Sequence, residues 1–210
     1  VFPADYIREY TEKSLANIGV STLDLPPLHV WTDERAADDR RQRPMRALKD
    51  EGLVRAIGIS VNRWQPANVL RALESGLIDA VQVVYNVFDQ SPEDELFPYC
   101  QKHQIGLIAR VPFDEGSLTG TLTATTTWPP GDFRNLYFNP DNLQATLPRV
   151  ERLRPVVPAG MSMPELALRH ILAHPAHHRI LLEGALLGAG VGWLDQAALA
   201  QIEAKGARQG

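Results

Sequence analysis

One cysteine, Cys100, occurs in the 210 residues. No internal disulfide and no cysteine-built zinc site can form, and such a composition suits a reducing, cytoplasmic setting. No apolar run approaches the roughly 20 residues that cross a bilayer, which sets a membrane-spanning role aside. The first residues, VFPADYIREYTEKS, lack a basic stretch followed by an apolar one and do not read as a secretory signal. They also lack an initiator Met and read as a helix already under way inside a domain. No run of Lys or Arg stands out. The densest, Ala37 to Arg43, is diluted by Asp38 and Asp39, and the formal net charge is -4, which argues against a nucleic-acid groove. No G-x-G-x-x-G follows a strand, so the ordinary Rossmann fingerprint is missing. A G-x-S-x-G nucleophile elbow is missing too. Adjacent His177 and His178 point in different directions with no Asp, Glu or Cys at ligand spacing beside them, so no metal is expected.

What is present is an ordinary core-forming composition, 44% hydrophobic and 22% charged, of a length suited to a single domain over residues 1–210. Helix-like and strand-like segments alternate. Helical spacing covers Asp5 to Ile18, Pro44 to Glu51, Gln65 to Ser75 and Glu93 to His103, and glycine follows the first three. Strands are predicted over Leu23 to Val30, Val54 to Ser60, Ile78 to Tyr85 and Gly106 to Val111. The unit is 25 to 30 residues and the strands are apolar on both faces, which predicts a parallel sheet covered by helices: an open doubly wound sheet or a barrel. The regularity breaks at 112–142, a long loop whose aromatics, Trp128, Phe133, Tyr137 and Phe138, predict a folded excursion. Helices follow over Leu143 to Leu153 and over Pro164 to Ala173, the latter with Ser162 as its cap. Residues 177–193 form an atypical, glycine-rich segment, and a last helix is predicted over Asp195 to Ala204.

Parallel sheets and barrels bind ligands beyond the carboxyl ends of their strands. The polar residues there are His29, then Ser60 and Asn62, then Gln82, Tyr85 and Asn86, then Arg110. His29 can act as acid, base or donor near neutral pH. Ser, Asn and Gln together offer the donors and acceptors that a carboxamide needs. Each residue alone is as readily explained as a strand-end cap. The clustering of polar residues at four successive strand ends favours a site.

The ordered motifs LPPLHVW, LVRAIGISVN, IDAVQVVYN, GLIARVPFDEGSLTG and MSMPELALRHILAHP resemble the aldo-keto reductases. The resemblance implies an α/β fold, a parallel (β/α)8 TIM-type barrel. About five βα units are present in this sequence, with incomplete closure, as if the chain were truncated at its N-terminus and altered near its C-terminus. It implies NADPH or NADP+ as cofactor, no metal, and a small-molecule carbonyl substrate reduced to an alcohol. His29 matches the histidine that orients and polarises the carbonyl. Ser60, Asn62 and Gln82 match the residues that hold the nicotinamide carboxamide, with Val61 inserted between the first two. Pro112, Gly116, Ser117 and Leu118 match the loop that approaches the pyrophosphate through backbone N–H groups. Arg110 stands where the family commonly stacks a tyrosine on the nicotinamide. The family's general-acid tyrosine, with its lysine and aspartate, comes from strands that would precede Val1. The alternative reading is therefore a non-catalytic remnant that binds cofactor or another subunit.

Overall fold

Gly19 adopts φ +77° and Val20 returns its N–H to the Leu15 carbonyl, so the first helix stops where the sequence places its glycine. The computed structural model describes residues 4–28, 39–62, 64–174 and 180–182. The helices are α1 (Ala4–Ile18), α2 (Asp39–Asp50), α3 (Leu70–Glu74), α4 (Leu96–His103), α5 (Arg134–Tyr137), α6 (Pro140–Leu153) and α7 (Met163–Ala173). The strands are β1 (Pro27–Leu28), β2 (Gly58–Ser60), β3 (Ala80–Val84), β4 (Gly106–Arg110) and β5 (Ile180–Leu182), ordered β1-β2-β3-β4-β5 in one sheet. By contacts the chain falls into two units, 1–83 with 91–108, and 84–90 with 109–210.

In the first unit the strands are parallel, with Pro27 opposite Gly58 and Ser60 opposite Gln82. Gly106 extends the sheet by donating its N–H to the Asp79 carbonyl at 2.8 Å. A side chain at Gly106 would meet the Ala80 Cβ at 3.4 Å, so both residues lie on one face of the sheet. The core is made by Ile59, Val61, Val69, Val81, Leu96, Phe97 and Leu107, all nearly or wholly removed from water. The sequence predicts a strand over Leu23 to Val30. The ladder among described residues holds only a Leu23–Val54 bridge and the pair at 27–28. Pro26, whose carbonyl faces β2, has no N–H to give beside it, which interrupts the ladder. Helix α3 is also shorter than its periodicity predicts. The chain first passes through tight turns, Asn68 N–H to the Gln65 carbonyl and Leu70 N–H to the Ala67 carbonyl. At the end of α4 it is Gln104, not a glycine, that takes the left-handed position, φ 61°.

In the second unit, α7 buries Met163, Leu166, Ala167, His170 and Ile171, a stripe of helical period. Ser162 caps it by accepting the Glu165 N–H. Helix α6 buries Leu143, Thr146, Val150 and Leu153, and starts earlier than its apolar spacing suggests because Asn139 caps it and Pro140 fits its first turn. Val87, Leu118, Val150, Leu153, Leu166 and Ala167 form the core between these helices and the loop after β4. Segment 112–142 contains a 3-10 stretch over Asp114–Thr119 as well as α5. Trp128 stacks on Phe138 at 5.3 Å, and the ring of Tyr137 meets Phe138 edge-on. Of residues 177–193 only 180–182 are described, and the helix predicted over Asp195 to Ala204 lies outside the described residues, as does the His177–His178 pair.

Candidate functional site

His29 lies outside the described residues, one position beyond the end of β1. The other strand-end residues are described unit by unit.

Ser60 ends β2 and is 1% exposed. Its Oγ is buried and has no hydrogen-bond partner among the described residues. Gln82, half-buried on β3, stands opposite it in register, and its carbonyl accepts the Val61 N–H at 3.0 Å. Paired residues of neighbouring parallel strands share a face, so the hydroxyl and the amide project on the same side. Asn62 follows β2, and its Oδ1 accepts the Gln65 N–H at 2.8 Å. That bond fixes the side chain and leaves its NH2 as a donor. A buried hydroxyl without a partner is rare in a folded protein. Here it lies opposite Gln82, in the middle of β3, and two residues before Asn62, a set able both to donate and to accept.

In the second unit, β4 ends at Arg110, which is half-buried. The Arg110 carbonyl accepts the Tyr85 N–H at 3.3 Å, and the Arg110 Nε is buried without a partner among the described residues. The chain then turns through Val111 at φ 58°, Asp114 at 45°, Glu115 at 56° and Gly116 at 112°. A β-branched residue in the left-handed region is strained. Its carbonyl is pinned by Asn86 Nδ2 at 3.0 Å and the Asp114 N–H at 3.1 Å. The Asn86 Oδ1 in turn accepts from Phe88 and Asp89, so this strand-end residue serves the turn itself. Pro112 is buried, and Leu118 and Ser117 are fully buried. Nothing stands within 4 Å of where a Gly116 side chain would be. The N–H groups of Gly116 and Leu118 both donate to the Phe113 carbonyl.

Sequence reasoning missed what ties this loop down. Asp114 is 4% exposed, and its carboxylate accepts from Ser117 Oγ at 2.8 Å and from Tyr137 Oη at 2.9 Å. The second partner is 23 residues away, a link no local pattern carries. Beside it, a surface cleft of about 590 Å³ is lined by Glu115, Gly131, Asp132, Phe133 and Arg134. The Arg134 guanidinium holds the Asp132 carboxyl down at about 2, through a side-chain hydrogen bond of 2.6 Å and a backbone one. His170 was missed for another reason, its place in an apolar stripe. It stacks on Tyr85 at 5.8 Å, with both ring nitrogens unpartnered among the described residues. Burial, with His174 nearby, pushes its pKa down to about 4. Among the described residues no three of His, Cys, Asp and Glu gather as a metal would need, and no helix is long and apolar enough to cross a membrane.

Comparison with known proteins agrees with the resemblance in the motifs. The model of the aldo/keto reductase family matches residues 3–187. An NADH-specific methylglyoxal reductase of Escherichia coli is 29% identical over 177 residues, covering 79% of this chain and 51% of that protein. An uncharacterized oxidoreductase of Bacillus subtilis, YqkF, is 30% identical over 171 residues, 81% of this chain and 53% of its own length. The chain thus spans about half the length of the curated relatives it matches. Among solved structures, an aldo-keto reductase of Bacillus halodurans superposes with a TM-score of 0.72 at 25% identity, over 98% of this chain and 68% of that one. A glycerol dehydrogenase of Gluconobacter oxydans gives 0.79 at 22% identity, over 98% and 64%, and speaks for the fold alone. The parallel sheet with its helices is part of the barrel these structures have, and the chain belongs to the aldo/keto reductase family.

Proposed function

We propose that this chain carries the cofactor side and part of the substrate side of an NADPH-dependent reductase that converts an aldehyde or ketone to an alcohol. The observation that carries the reading is the buried Ser60 hydroxyl, without a partner among the described residues and in register with Gln82. A nicotinamide carboxamide has one acceptor and two donors to match. Ser60 and Gln82 can each donate and accept, and the Asn62 NH2 adds a donor. The residues present therefore fit the group.

Bound NADPH would supply the hydride. The chain's own residues hold and orient. Ser60, Asn62 and Gln82 fix the carboxamide and with it the face of the ring. By the resemblance, Pro112, Gly116, Ser117 and Leu118 belong to the loop that approaches the pyrophosphate. The space over Gly116 is open. The Gly116 and Leu118 N–H groups are already given to the Phe113 carbonyl and would have to be released to meet a phosphate. By the resemblance, Arg110 stands where the family stacks a side chain on the nicotinamide. His29 polarises the carbonyl oxygen, which favours hydride addition at carbon. The site works on a small-molecule carbonyl and, with a single, buried cysteine, suits the cytoplasm.

The test is a fluorescence titration of the purified chain with NADPH and, in parallel, NADH, followed by aldehyde addition and absorbance at the cofactor's wavelength. Cofactor binding with turnover supports the reading. Binding without turnover assigns the chain, as it stands here, the alternative role of holding cofactor. No binding of either nucleotide overturns both.

A further inference from the structure

We propose that Asn86 is the positioning residue of the loop after β4: by holding Val111 in the left-handed conformation it sets the affinity for the cofactor's pyrophosphate. The proposal rests on the reading above, in which Pro112 to Leu118 approach that group, and goes beyond it by naming what aims the loop. Val111, Asp114 and Glu115 take positive φ, at 58°, 45° and 56°. A β-branched residue is an outlier there, whereas a glycine would take the angle freely. Such strain persists only where the surroundings impose it, and it gathers where geometry serves a site.

At Val111 the strain is imposed by Asn86, which is fully buried. Its main chain is fixed first, by reciprocal bonds with Asp89 at 3.2 and 3.1 Å. Its Oδ1 then accepts from the Phe88 and Asp89 N–H groups at 2.8 and 3.0 Å. Two donors on one atom settle the orientation of the amide, so Nδ2 is turned to the Val111 carbonyl at 3.0 Å. The same carbonyl takes the Asp114 N–H at 3.1 Å, which closes the first turn of the loop. The Phe113 carbonyl closes the next turn on the Gly116 N–H at 2.9 Å, with left-handed Asp114 and Glu115 at its centre. Each turn starts from the one before, and the first starts from Asn86. A glycine at 111 would let the loop take several directions. A valine held by a buried amide leaves one, and a loop ordered beforehand loses less entropy when a phosphate binds.

The full chain is titrated by calorimetry with NADPH and with 2′-phospho-ADP-ribose, which keeps the pyrophosphate and lacks the nicotinamide. Asn86→Asp retains both acceptor bonds and loses the donor to Val111. It is expected to weaken both ligands by the same factor, about tenfold. Ser60→Ala should weaken NADPH alone. Val111→Gly takes a positive φ at no steric cost, so in that chain Asn86→Asp should lose most of its effect. Where Asn86→Asp is too unstable to purify, Asn86→Ser gives the same comparison, with a turn-forming oxygen too short to reach Val111. An Asn86 variant that binds both ligands as wild type does overturns the proposal and leaves the cofactor reading standing. A variant that weakens NADPH alone overturns it too, because Asn86 would then act on the nicotinamide side. An undiminished loss in the Val111→Gly chain marks a merely structural residue and also overturns it. Binding of neither ligand by the wild-type chain overturns the cofactor reading, and the proposal with it.

Discussion

Ser60 and Gln82 stand opposite each other across β2 and β3, and the Val61 N–H closes the pair on the Gln82 carbonyl at 3.0 Å. The Ser60 hydroxyl beside that bond has no partner among the described residues. Replacing it by Ser60→Ala removes a desolvated polar atom whose shape is nearly conserved. Resistance to urea should stay the same or rise slightly, while the dissociation constant for NADPH should rise about five- to tenfold. A variant that loses stability and binds as before would show the hydroxyl to be structural.

His170 predicts a pH dependence of stability. An unfolded histidine titrates near 6.5, and burial holds His170 down at about 4 in the folded protein. Between those values the unfolded chain binds the extra proton, so the contribution is fully present above about 6.5 and is lost as pH falls toward 4. Its full extent is about 3 kcal/mol. Urea midpoints measured at pH 7.5, 6 and 5 should fall more steeply for the parent than for His170→Phe. Parallel curves for the two proteins would assign the acid sensitivity to other groups.

Asp114 is expected to be the tie of its loop. Asp114→Ala takes this acceptor from the buried Ser117 hydroxyl and the half-buried Tyr137 hydroxyl and puts a plain side chain at φ 45°, and should destabilise by about 2 kcal/mol. Tyr137→Phe removes one of the two bonds and should lose about 1 kcal/mol. A double-mutant cycle between the two positions measures the coupling, and strict additivity would mean that the 2.9 Å contact contributes nothing.

Cys100 has its thiol pushed up to about 12 by burial. With almost no thiolate at neutral pH it should resist iodoacetamide in the native chain and react at the unfolding rate or slower. Labelling that is as fast in buffer as in urea would place the thiol at the surface.

The parts of this fold that were legible in the sequence are those where one face alone decides. The stripe Met163, Leu166, Ala167, Ile171 and the run Ala80 to Val84 fall within a residue or two of their predicted elements. What stayed hidden depends on pairing at a distance or on backbone with no glycine to signal it. Val111, Asp114 and Glu115 take left-handed angles usually left to glycine, and are kept there by Asn86 and by hydroxyls elsewhere in the chain. The site shows the same division. Strand-end logic singles out Ser60, Gln82 and Arg110 one at a time. That the first two are opposite each other is a matter of register, and that the Arg110 Nε has no partner among the described residues is a matter of everything around it.

The prolines of β1 bear on how this sheet meets other chains. Pro26 gives its carbonyl to the Gly58 N–H, so the alternation of the strand turns the polar groups of Pro27 the other way. A donor that would point outward at Pro27 does not exist. A strand approaching from that side finds an acceptor with no donor beside it, and cannot lay down a continuous ladder there. Pro26, facing β2, shortens the chain's own pairing, and Pro27 beside it works against aggregation by strand addition.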